Sequence, residues 1–144
     1  QIMGIFRKDL TEVQVNVLKA LGSSNVMVFH GMDGLDEIST TGPTQITEMF
    51  NGGKINTYKF DASDLGLNRV DLQDLQGGEP SENAKLIEGI LNGSTGPKRD
   101  IVLLNAAAGI VVGGKAKNLK EGIIKAAESI DSGAAKGIMH KLIV

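Results

Sequence analysis

Three carboxylates fall within the five residues Asp33-Gly34-Leu35-Asp36-Glu37, just behind the apolar run Val26-Met27-Val28-Phe29. Carboxylates this close repel one another, and glycines at 31 and 34 let the backbone turn tightly. A hard cation such as magnesium would relieve the repulsion, because it takes oxygen ligands and bridges carboxylates to substrate phosphates. The same residues also read as a solvated acidic turn. An EF-hand calcium loop does not fit, since its ligand spacing and terminal Glu are missing.

His30 ends the run beside this loop and reads as a hydrogen-bonded core residue. The other histidine, His140, lies far along the chain, so no pair has metal-binding spacing. The phosphate-loop, dinucleotide-binding and nucleophile-elbow glycine patterns do not occur. Asn105 stands inside the apolar stretch Ile101–Val112 and needs partners for its amide, in the neighbouring backbone or near the acidic loop. Small residues at Ala106, Ala107, Ala108 and Gly109 allow another element to approach closely. Gly113-Gly114-Lys115 reads as an ordinary helix stop.

The elements that must position these groups can be read from periodicity. Lys8 to Leu21 predicts a helix with Leu10, Val13, Val17 and Leu21 on its buried stripe, an Asp9–Glu12 capping box and Gly22 as the stop. Val26–Phe29, apolar without alternation, predicts a strand covered on both faces. The loop from Gly31 to Glu37 then lies at the carboxyl end of that strand, where ligands sit in open α/β sheets. Thr44–Phe50 and Lys54–Phe60 predict a hairpin turning at Asn51-Gly52-Gly53. Asp61 to Gly78 is irregular, tacked down by Leu65, Leu67, Val70, Leu72 and Leu75.

Four helices follow. Pro80 opens one that closes at Asn92-Gly93. Asp100 caps a second, through Val112. Asn118 and Glu121 box a third, with Leu119, Ile123, Ala127 and Ile130 buried. Ser132 caps a last one carrying Ala135, Ile138, Met139 and Leu142. The expected architecture is a three-layer α/β domain: a mixed sheet with Val26–Phe29 central and helices flanking it.

Composition narrows the function classes. The 144 residues suit one domain, and the chain is 41% hydrophobic, 22% charged and only 3% aromatic. Few aromatics, a net charge of −2 and a pI near 5.7 argue against nucleic-acid binding. Cysteine is absent, which excludes disulfides and thiolate metal sites and fits a cytoplasmic protein. No apolar run approaches a membrane span.

Val28-Phe29-His30-Gly31-Met32-Asp33-Gly34-Leu35-Asp36-Glu37-Ile38-Ser39, followed by Thr41-Gly42-Pro43-Thr44, resembles the strand and acidic loop of anthranilate phosphoribosyltransferases. Leu75-Gln76-Gly77-Gly78 with Glu82-Asn83-Ala84 is similar to a later block of that family. Leu104-Asn105-Ala106-Ala107-Ala108 and Ala127 to Gly133 complete the run. The resemblance implies a partial C-terminal domain of the nucleoside phosphorylase/phosphoribosyltransferase-like fold across residues 1–144. It implies transfer of the phosphoribosyl group from phosphoribosyl pyrophosphate to anthranilate, as in tryptophan biosynthesis, with magnesium held by Asp36 and Glu37. Asp33 stays unassigned, and no catalytic side chain is carried over.

The family's upstream Gly-Thr-Gly-Gly-Asp loop and helical dimerisation domain do not appear in this sequence. With the apolar opening Gln1–Phe6, that leads to the expectation of a cut product or one piece of a split protein, inactive alone and homo-oligomeric. Two other readings stay open: a non-catalytic paralogue that binds nucleic acid or protein, and a nucleoside phosphorylase.

Overall fold

The computed structural model describes residues 1–142. Four strands form one mixed sheet in the order β1 (Ile2–Gly4), β2 (Val26–Gly31), β3 (Thr44–Met49) and β4 (Ile55–Phe60). β1 runs parallel to β2, while β2–β3 and β3–β4 are antiparallel. The hairpin turns as its sequence predicts, with both Asn51 and Gly52 at positive φ.

Consecutive residues of β2 point to opposite faces, so an unbroken apolar strand requires cover on both. Val26 and Val28 join Val15 and Leu18 of α1 (Thr11–Ala20) on one side. Met27 and Phe29 join Leu104, Ala107 and Ala108 of α4 (Pro97–Val112) on the other. Helix α1, the sheet and the later helices therefore make three layers, as the pattern predicts. Helix α5 (Leu119–Asp131) packs on α4, and α3 (Pro80–Leu91) and α6 (Ala134–Leu142) add to that side. Gly122 makes the α4–α5 contact possible, since a Cβ there would sit 2.8 Å from that of Ala107.

Several local expectations need correction. The buried stripe of α1 is Thr11, Val15 and Leu18, and Val13, Val17 and Leu21 face solvent. The reason lies in β3: Thr47 Oγ1 donates to Thr11 Oγ1 at 2.9 Å and Gln45 Nε2 donates to it at 2.8 Å. Those bonds turn Thr11 inward, and Val15 and Leu18 share its face. No Asp9–Glu12 capping box forms, because Asp9 pairs with Arg7 and a single-turn helix, Lys8–Leu10, precedes α1.

Helix α4 starts at Pro97 behind Gly96, so Asp100 lies in its first turn rather than capping it. On α5, Gly122 and Ala126 replace Ile123 and Ala127 at the buried centre, drawn there by the close contact with α4. Glu121 also closes onto Lys117 N rather than onto the backbone of Asn118, which alone caps the helix. In α6, Ile138 and Leu142 are exposed, and Ala135 makes the contact with Leu103, Ala126 and Ile130. Strand β1, three residues long, forms in the apolar opening, where the periodicity predicts no element. The irregular stretch contains two short turns of helix, Ala62–Leu65 and α2 (Leu72–Leu75), and Leu72 is exposed.

Candidate metal-binding site

The carboxyl ends of the parallel strands β1 and β2 lie side by side, and the acidic loop leaves β2 there. Gly31 closes the strand with two backbone bonds: its N–H donates to Leu35 O at 2.8 Å, and its carbonyl accepts from Gly34 N at 2.9 Å. Gly34 has φ +101°, which an L side chain rarely adopts. A Cβ on Gly31 would come within 2.5 Å of Asp33 Oδ1. Both glycines are thus required by the turn, as their positions before and within the acidic cluster suggest.

Asp33 holds the loop together from inside. Its Oδ1 accepts from Leu35 N at 3.0 Å, and its Oδ2 accepts from the hydroxyls of Ser39 and Thr41. Ser39 N in turn donates to Thr44 Oγ1 at 2.9 Å, which ties the loop's far end to β3. Burial works to raise the Asp33 carboxyl, but these hydrogen bonds outweigh it and hold the group below its ordinary value. With its lone pairs committed to the loop, Asp33 is a positioning residue. Ser39 and Thr41 form part of this arrangement and were not singled out from sequence; a hydroxyl pair following an acidic cluster was the available signal.

Ile38 supplies the second anchor. Its side chain is fully buried, and Asn105 of α4 grips its backbone from both sides. Asn105 Oδ1 accepts from Ile38 N at 2.9 Å, while Nδ2 donates to Ile38 O at 2.9 Å and to Ile101 O at 3.0 Å. The expected role of Asn105, an amide satisfied by backbone near the acidic loop, is what the structure contains.

A third support comes from β1. A Cβ on Gly4 would fall 1.5 Å from Asp36 O, so strand and loop touch backbone to backbone. Nothing in the sequence around Gly4 signals this contact, because its partner is more than thirty residues away.

Between these fixed points Asp36 and Glu37 are exposed. Although Glu37 is exposed as a whole, partial desolvation of its carboxyl raises it from its ordinary value, and the charge of Asp36 raises it further. The two acids therefore sense one another, and a cation between them would lower both costs. The donor set fits magnesium: hard oxygen atoms, negative charge and access from solvent. Among the described residues no group of three or more His, Cys, Asp or Glu side chains could hold a metal. Asp33 accordingly stands apart from the pair. An apolar cleft of about 520 Å³ adjoins Glu37, walled by Ile2, Ile101, Val102, Asn105 and Ala106.

His30 lies outside this constellation. Its Nδ1–H donates to Ile5 O at 2.8 Å, linking β2 to the segment after β1. That is the structural role expected of it. Lys115 follows the α4 stop, with Gly114 at φ +70°, and forms no phosphate loop.

Residues 1–136 match the family described as "Glycosyl transferase family, a/b domain". Among curated proteins, the chain is 46% identical to the anthranilate phosphoribosyltransferase of Parvibaculum lavamentivorans and 48% identical to that of Brucella ovis. Each match covers 99% of this chain and 42% of the relative. The chain thus spans about two-fifths of the length of the curated relatives it matches. Among solved structures, the anthranilate phosphoribosyltransferase of Thermus thermophilus superposes with a TM-score of 0.85 at 35% identity, over 96% of this chain and 40% of that one. The Saccharomyces cerevisiae enzyme in complex with PRPP and Mg gives 0.81 at 31% identity, over 92% and 38%.

Proposed function

Because this chain belongs to the glycosyl transferase family, a/b domain, we propose that it carries the magnesium-binding part of an anthranilate phosphoribosyltransferase. The whole reaction would move the phosphoribosyl group of phosphoribosyl pyrophosphate onto the amine of anthranilate, releasing pyrophosphate. The observation that carries this reading is the exposed Asp36–Glu37 pair, supported at the joined carboxyl ends of β1 and β2 by Asp33, Asn105 and Gly4. The relatives support the same reaction, since they bear that enzyme's name and one was solved with PRPP and Mg.

Asp36 and Glu37 would hold the metal, leaving its remaining positions to water and to the substrate's phosphate oxygens. The bound cation would supply neutralisation of the charge that gathers on departing pyrophosphate. The chain's own part is orientation. Asp33 and Asn105 fix the loop before substrate arrives, so little reorganisation accompanies binding. The proton that the attacking amine loses would pass to pyrophosphate or to solvent, and no general base is assigned among the residues described above.

Homo-oligomeric assembly and a cytoplasmic setting belong to the same proposal. Exposed Ile2 and Val102 beside the open edge of β1 favour association, and no helix among the described residues is long and apolar enough to cross a membrane. The 144-residue chain alone should not turn over, because the partners for the rest of the substrate lie outside its resemblance to the longer relatives. A melting series tests the binding claim. Magnesium with phosphoribosyl pyrophosphate should raise the midpoint, while magnesium with ribose 5-phosphate should raise it much less. Equal shifts from the two would remove the pyrophosphate–metal reading. Sustained loss of anthranilate fluorescence with the chain alone would remove the claim of inactivity.

A further inference from the structure

Residues 67–76 run along the surface beside the acidic loop and carry α2. Most of them are exposed, and Leu72 is 49% exposed. A gap of about 340 Å³ lies between α2 and the loop, lined by Leu35 on one side and by Leu72, Gln73, Leu75 and Gln76 on the other. Leu35 directly precedes Asp36. Bringing the two walls together would take three leucine side chains out of water, which favours closure.

The ties of this segment are few and lie at its margins. Val70 N donates to Thr40 O at 3.2 Å, which joins it to the chain just beyond the acidic loop. Lys98 of α4 donates to Asp74 O at 2.6 Å and to Gln76 O at 2.8 Å. Past Gln76 the chain is clamped, since Asn83 accepts from Gly78 N and donates to Gly78 O, both at 2.9 Å. Asp71 N donates to Asp74 Oδ2 at 3.1 Å, so α2 holds itself together as one piece. Among the described residues no hydrogen bond joins α2 to Leu35, Asp36 or Glu37.

Charge accounts for the open gap. Arg69 is engaged by Asp61, which leaves Asp71 and Asp74 as the charges of the segment without an ion pair. Closing α2 onto Leu35 would carry these acids toward Asp36 and Glu37 and remove water from the carboxylates. Both effects oppose closure while the pair is bare. A cation on the pair would turn that repulsion into attraction.

We propose that residues 67–76 form a lid that closes onto Leu35 once the charge of Asp36 and Glu37 is neutralised, as by bound magnesium, with Lys98 as the latch that holds it back. The metal half of this proposal rests on the assignment of that pair as the magnesium site. A ligand shifts such an equilibrium only through its difference in affinity for the two states, and charge supplies the difference here. By linkage, the closed lid tightens the hold on the cation.

Leu72→Trp, in a chain without other tryptophans, reports closure of the gap. With the fold checked by circular dichroism, magnesium should shift its emission to shorter wavelength. Acrylamide quenching should fall about twofold as this half-exposed position is covered. Adding Asp36→Asn with Glu37→Gln should give the covered emission without metal and no response to it. Lys98→Met should lower the magnesium concentration at the midpoint of the change. Manganese, followed by its electron resonance in the same samples, reads metal binding separately. Saturable manganese binding with an unmoved tryptophan would overturn the lid and leave the magnesium site standing. An exposed tryptophan in the double acidic variant would overturn it as well, and an unchanged midpoint in Lys98→Met would overturn the latch. Absence of manganese binding would remove the magnesium reading, and the double variant alone would then decide the lid.

Discussion

Two irregular segments of this molecule differ in how they are held. The acidic loop after β2 satisfies its internal carboxylate from its own residues, while its backbone is bonded to β3 and α4 and touches β1. The stretch between β4 and α3 is largely exposed; Leu65 and Leu67 pack on the core, and its ion pair, Arg69 with Asp61, is itself exposed. Irregular backbone becomes a precise platform only where distant elements satisfy its polar groups. The loop that presents Asp36 and Glu37 meets that condition along its length, whereas the later stretch meets it only at Val70 N on Thr40 O and at Asp74 O and Gln76 O under Lys98.

Substitutions should separate the two segments, with the largest effect at β1. Gly4→Ala places a methyl group against Asp36 O and forces strand and loop apart, costing about 3 kcal/mol in urea unfolding. An effect below about 1 kcal/mol would mean that the β1–loop contact yields easily. Asn105→Ala should come next. It strands the N–H and C=O of buried Ile38, at about 2–3 kcal/mol.

Asp33→Asn should cost less at neutral pH but change the acid limb. Hydrogen bonds hold the Asp33 carboxyl below its ordinary value despite its burial. Its stabilisation is therefore present above the unfolded-state pKa and is lost as pH falls through the folded-state value. The variant should show a flatter fall in stability on acidification than wild type. An identical acid slope would show that Asp33 is not the group involved. Arg69→Ala, in the loosely held stretch, should cost under about 0.5 kcal/mol, since an exposed ion pair contributes little.

The two segments were also unequally legible in the sequence. Strand β2, the β3–β4 hairpin and helix α3 follow from local pattern: an unbroken apolar run, Asn-Gly at a turn, and proline at a helix start. The acidic loop was legible in position because glycines and acids cluster there. Its fixing was not, apart from Asn105, because Gly4 and Thr44 act from other strands. The buried face of α1 failed for the same reason. Both of its stripes carry apolar residues, and a hydrogen bond from Thr47 decides between them. Strand β1 is too short for any alternation to register. The candidate pair Asp36 and Glu37 is legible from residue type alone, while the contact of Arg99 with Asp131 emerges only once α5 packs on α4.

Calorimetric titration of phosphoribosyl pyrophosphate, with and without magnesium, into the wild-type chain and the Asp36→Asn/Glu37→Gln variant tests the central claim most directly. The wild type should bind the magnesium complex at least tenfold more tightly than the metal-free substrate, and the variant should lose that difference while keeping its melting temperature. A magnesium effect of the same size in a folded double variant would contradict the account.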